Sequence, residues 1–93
     1  MEFIYPNVIE AILAACNRYR RKESSIEDLI VAIEHGRSEL TAIQENPLWE
    51  MCLWASDHLD SIRWTSNAEY GEVLEVILQI ERTIQNWKER PSN

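Results

Sequence analysis

Glycine is scarce in this chain, with two in 93 residues. Two glycines cannot build a phosphate-cradling loop, and neither a Walker motif nor a GxSxG turn is present. Proline is nearly as rare, with three, each near an expected helix end. The two cysteines, Cys16 and Cys52, are far apart and form no CxxC pair. They read as small core hydrophobes rather than a disulfide. No apolar run reaches the roughly 18 residues that a membrane span needs. The opening MEFIYPNVIE lacks the basic stretch and the small-residue cleavage site of a secretory leader. A cytoplasmic protein without a membrane partner is expected.

Positive charge is the other shortage. Nine Lys and Arg face sixteen Asp and Glu, for a net charge of −7. An acidic surface disfavours direct binding to nucleic acid or anionic lipid. Charge is also unevenly placed. RYRRK (18–22) carries four cations, whereas residues 23–81 hold thirteen carboxylates against only Arg37 and Arg63.

What is present favours helix. The chain is 45% hydrophobic and rich in Ala, Leu, Ile and Glu. Its length fits one small domain, residues 1–93, that buries about two thirds of its unfolded surface and leaves little room for a deep cavity.

Four helix starts can be read. Asn7 followed by Glu10 has capping-box spacing, and Val8, Ile9, Ile12, Cys16 and Tyr19 follow at helical intervals. This predicts helix one over about 7–21, with RYRRK at the negative end of its dipole. Ser24 or Ser25 opens helix two, with Glu27 and Asp28 in its first turn. Ile26, Leu29, Ile33, Gly36, Leu40 and Ile43 form one stripe over about 25–45. Gly36 is either tolerated there by close approach of a neighbouring helix or marks a break; a continuous helix is expected. Asn46-Pro47 starts helix three, about 47–62. Ser66 and Glu69 cap helix four, about 67–89, whose stripe is Tyr70, Val73, Ile77, Ile80, Ile84 and Trp87, and Pro91 ends it. Short connections between amphipathic helices imply an all-α, antiparallel up-down four-helix bundle.

The stretch NPLWEMCLWASDHLD (46–60) is the most crowded. On a helical wheel Leu48, Met51, Cys52, Ala55, Leu59 and Ile62 share one face, which reads as packing. Trp49 and Trp54 fall on opposite flanks, where either core packing or partner contact would use them. Asp57, His58 and Asp60 point in different directions and cannot converge on one ion. Neither HExxH nor ExxH spacing occurs. His35 and Glu39 have i, i+4 spacing but lie on the outer face. No cofactor, metal or catalytic residue is therefore assigned, and an enzyme is not expected. RYRRK is better explained by salt bridges and the helix dipole than by phosphate contacts. Arg20 and Arg37 sit at stripe borders where their stems can pack, with Glu34 within reach of Arg37.

What remains is negative charge on the outer faces: Glu27, Asp28, Glu34, Glu39 and Glu45 on helix two, Glu50, Asp57 and Asp60 on helix three, Glu72 and Glu75 on helix four. Such a field steers a basic partner. The expected function is a small protein-binding domain, in its concrete form a bacterial immunity protein or antitoxin that plugs a basic toxin such as a nuclease. Its candidate partner-binding residues are Glu50, Trp54, Asp57, Asp60, Glu72 and Glu75. The alternative is a homodimeric structural module with Trp49, Leu53, Trp54, Val31 and Leu78 as its seam.

Overall fold

The computed structural model describes residues 3–90, and among these it contains four α-helices and no strand. They are α1 (Pro6–Arg20), α2 (Ile26–Glu39), α3 (Asn46–Thr65) and α4 (Glu69–Lys88), with one 310 turn, Ile43–Glu45, before α3. Gly36 on α2 packs against Ile12 and Val8 on α1. Ile62 and Thr65 at the end of α3 face Glu72 and Val76 near the start of α4. Tyr19 at the end of α1 reaches Glu69 at the start of α4. Each of these pairs runs in opposed directions, the up-down arrangement that the short connections imply. The bundle measures 45 × 21 × 19 Å.

The expected stripes are the core. Val8, Ile9, Ile12, Cys16 and Tyr19 of α1 are all buried, as are Leu48, Met51, Cys52, Ala55, Leu59 and Ile62 of α3. On α4, Val73, Ile77, Ile80, Ile84 and Trp87 are buried, whereas Tyr70, expected on the same stripe, is exposed and caps the α1–α4 seam from outside. Gly36 is continuous with the helix and buried. An added Cβ there would stand 2.7 Å from Ile12 Cδ1, so the missing side chain is what lets α1 approach.

Helix ends depart from expectation in physically readable ways. Helix α1 starts at Pro6, with Tyr5 as an N-cap whose side chain makes no capping bond. Proline, with no N–H to satisfy and φ already helical, takes the first turn; Asn7 is inside the helix and the Asn7/Glu10 box is not formed. Ser25 does cap α2: its hydroxyl accepts the Asp28 N–H and the Asp28 carboxylate accepts the Ser25 N–H, both at 3.2 Å. Helix α2 stops at Glu39, six residues short of the expected 45. Leu40 still reaches the core, but the stripe fails at Ile43, which is 88% exposed. Neither Gly36 nor Pro47 makes this break.

At the third start, Glu45 rather than Asn46 is the N-cap. The 310 turn delivers Asn46 already in helical conformation (φ −54, ψ −38). Pro47 then falls in the first turn, among the N–H positions that have no intrahelical partner. Helix α3 runs on to Thr65, three residues past the expected end. The Ser66 hydroxyl accepts the Ala68 N–H at 3.0 Å instead of capping α4, whose N-cap is Ala68. Pro91, expected to end helix four, lies outside the described residues.

Glu45 is the largest departure. Expected on the solvated acidic face, it is fully buried. Breaking the helix after Glu39 turns it inward, where its Oε2 accepts the Ile4 N–H at 2.8 Å. Its Oε1 has no hydrogen-bond partner among the described residues. A second bond, 3.1 Å between the Tyr5 and Thr41 hydroxyls, ties the same N-terminal segment to the α2–α3 connection.

The α1–α4 seam is closed unevenly. At one end Tyr19 and Tyr70 stack at 5.8 Å, the Tyr70 hydroxyl donates to Arg20 O at 2.6 Å, and Arg20 pairs with Glu81 at 2.7 Å. Lys22, in left-handed conformation (φ 62), places its ammonium 4.8 Å from the Tyr70 ring. At the other end lies an open apolar groove of about 490 Å3 between Phe3, Ile9, Leu13 and Ile84. No helix among the described residues is long and apolar enough to cross a membrane.

Candidate functional site

Helices α3 and α4 leave a furrow between them on the outside of the bundle. Trp54, His58, Ser61 and Thr65 recur every three or four residues, which puts them along one edge of α3. Glu72, Glu75, Gln79 and Arg82 do the same on α4, with Leu78 beside them. Together they line an open groove of about 570 Å3 floored by Ile62 and Val76. Through Trp54 and Gln79 it continues into a second groove of about 340 Å3 that adds Pro47, Glu50 and Thr83. Pro47 and Thr83 carry it on to a third, reaching Trp87 and Arg90. From Glu72 to Lys88 the channel follows about 24 Å of α4, with Arg90 just past the helix end.

Three of the six candidate residues, Trp54, Glu72 and Glu75, meet in the first groove, and Glu50 joins them through the second. Asp57 is exposed but lines neither, and Asp60 turns away to pair with Arg63. Trp54 is 43% exposed and stacks on His58 with ring centroids 5.3 Å apart. Trp49, on the opposite flank, is half-buried under the Arg37 guanidinium 5.9 Å away. The five residues of the expected homodimer seam therefore do not share one surface: Trp54 and Leu78 line the furrow, and Trp49 does not.

The furrow is not uniformly acidic. Arg82 stands in it two helical turns from Glu75, a residue that the count of carboxylates passed over although its i+7 spacing places it on the same edge. The carboxylates of Glu72 and Glu75 form no hydrogen bond or salt bridge to described residues, and neither does Arg82. Glu50 accepts the Asn46 side-chain amide at 3.2 Å. The unpaired charges on the α4 wall are already solvated and available to a partner.

Several charged groups elsewhere are engaged within the chain. His35 pairs with Glu39 at 2.9 Å on an exposed face, and Arg21 with Glu23 at 3.0 Å. Arg20 has a raised pKa because the Glu81 carboxylate accepts a hydrogen bond from its guanidinium. Arg37 forms no ion pair with Glu34; its Nε is buried without a partner. Burial, reinforced by the Glu81 charge, pushes the Cys16 thiol up to about 12, and burial pushes Cys52 up to about 11. Both cysteines are free thiols, and at neutral pH neither supplies a thiolate. Among the described residues no three His, Cys, Asp or Glu side chains converge as metal ligands.

No protein-family model, curated protein or solved structure matches this chain.

Proposed function

We propose that this chain is a non-catalytic binding domain that docks the α3–α4 face on a basic protein, as a bacterial immunity protein or antitoxin docks on a toxic nuclease. The observation that carries the reading is Trp54, half-exposed in an open furrow beside the unpaired carboxylates of Glu72 and Glu75. Tryptophan is enriched among residues that dominate interface energetics. Its ring face also attracts cations, so the groove offers a basic side chain both a charge and a surface. The net charge of −7 adds long-range steering of the same sign. His58 stacks on Trp54 and bonds to neither glutamate, which supports recognition rather than proton transfer.

The experiment is titration of the purified chain with the product of the adjoining reading frame, by calorimetry at low and high salt. A one-to-one complex is expected that weakens with salt and weakens further in E72Q/E75Q. No complex at low salt overturns the reading. The homodimer is a second reading, favoured by the exposure of Trp54 and Leu78 in one groove. Sedimentation of the chain alone separates the two, because only the second requires a dimer.

A further inference from the structure

The charges of the furrow are arranged with a direction. Its lower end carries Glu72 and Glu75, both on α4, and the facing residues of α3, Ser61 and Thr65, are uncharged. Its centre is apolar, with Leu78 from α4 and Trp54 from α3 over Ile62 and Val76. Its upper end carries Arg82 on the α4 wall and Glu50 on the α3 wall, which offset each other. Two net negative charges therefore stand at one end; at the other Arg82 and Glu50 offset each other and Arg90 lies beyond them. Glu75 and Arg82 are seven residues apart, about 10 Å along the axis. That interval is two turns, which an α-helix laid beside α4 matches with its own i, i+7 positions.

Resting on the reading of the α3–α4 face as a docking surface, we propose that the furrow takes one amphipathic helix of the partner in a single direction. Its cationic turn lies against Glu72 and Glu75, its apolar residues cover Leu78 and Trp54, and a carboxylate two turns on meets Arg82. Among the described residues the chain has no strand and so offers no sheet edge for an extended segment to join. A channel of helical length between two helices is the form in which proteins receive a helix. Charge complementarity selects the occupant: a second copy of this chain would bring its own Glu72 and Glu75 and leave one of the two acidic ends without a counterpart of equal charge.

The test uses a synthetic helical peptide with two arginines near one end, leucines at the centre and a glutamate seven residues after the second arginine. It carries a nitroxide at the arginine end. Bound to the wild-type chain, the label is expected to broaden the amide resonances of residues 69–73 and to spare 83–87. The forward orientation should exceed the reverse by about fivefold, which two exposed ion pairs supply. The decisive variant is the swap E75R/R82E. It leaves the net charge at −7, yet moves the two negative charges to the Glu50 end and neutralises the Glu72 end. Both residues are exposed and unpaired, so the fold is unaffected. The broadening should then transfer to 83–87. Equal broadening at both ends, or no change on swapping, overturns the directional inference while leaving general acidic docking intact. Failure of the peptide to bind at low salt overturns the helical occupant. Resonances of the furrow that shift with the concentration of the chain alone assign the face to a second copy and also overturn it.

Discussion

Ile12 occupies the space that a side chain on Gly36 would need: its Cδ1 lies 2.7 Å from the position of an added Cβ. Alanine in place of Gly36 would gain about 1 kcal/mol in helix propensity. It would also push Ile12 off its rotamer in a filled core, at roughly 1–3 kcal/mol. G36A alone is therefore expected to destabilise by about 1 kcal/mol. In an I12V background, where Cδ1 is gone, the same change should be neutral or stabilising. Urea unfolding of the four proteins in the cycle measures the coupling; additive effects would mean the helices are not held apart by this contact.

The tryptophans divide by burial. Trp87 is 5% exposed and Trp54 43%. W87A should cost about 3–5 kcal/mol, the usual loss for a large core aromatic, and W54A less than about 1 kcal/mol, since its main neighbour is the exposed His58 ring. Thermal melts rank them. If W54A proves as damaging as W87A, Trp54 is structural and the docking reading loses its anchor.

Thiol protection gives a pH dependence whose sign is determined. Cys16 and Cys52 titrate near 9.0 when unfolded but are held at about 12 and about 11 in the fold, chiefly by burial. Tyr19 is raised from 10.0 to about 12, by burial and then by Glu69. The folded state thus keeps protons that the unfolded chain releases. Stability is complete below about pH 9 and falls as pH climbs from 9 to 12. The urea midpoint should drop over that window, and C16A/C52A should flatten the drop. Labelling by a thiol reagent at neutral pH should proceed no faster than global unfolding.

Buried Glu45 distinguishes charge from hydrogen bonding. E45A leaves the Ile4 N–H without its acceptor and opens a hole, with an expected cost of about 2–4 kcal/mol. E45Q retains an acceptor for the Ile4 N–H at nearly the same volume, so it should lie within about 1 kcal/mol of wild type. Equal losses in the two variants would show that the acceptor and the filled volume are not what Glu45 contributes.

Stripes were legible because periodicity survives small errors in boundaries. Every residue assigned to the α3 core face is buried, and of the two serines offered as the start of α2 it is Ser25 that caps it. Caps that depend on which of two adjacent residues starts a helix were not legible: Pro6 outcompeted Asn7, and the 310 turn displaced Asn46. The end of α2 was hidden for another reason. Its stripe continues through Leu40 and Ile43, and the contact that turns Glu45 inward comes from Ile4, 41 positions away. The furrow was half legible. Wheels place Trp54, Glu72 and Glu75 on their helices, but only packing shows that α3 and α4 bring them to one groove and that Arg82 shares it.

The uneven α1–α4 seam makes the bundle a clasp with one fastened side. Around Tyr70, stacking, an ion pair and a hydrogen bond must all be undone before the helices part. Near Phe3 the two helices flank an open groove with an apolar floor and Glu10, Gln85 and Lys88 on its rim, while the N-terminal strap is hydrogen-bonded to the α2–α3 connection. Breathing of the molecule should begin there, with α4 swinging off α1 at its far end and staying seated on α3 through Trp87. Amide exchange would register it as early loss of protection around Ile9 and Leu13, ahead of Cys16 and Tyr19.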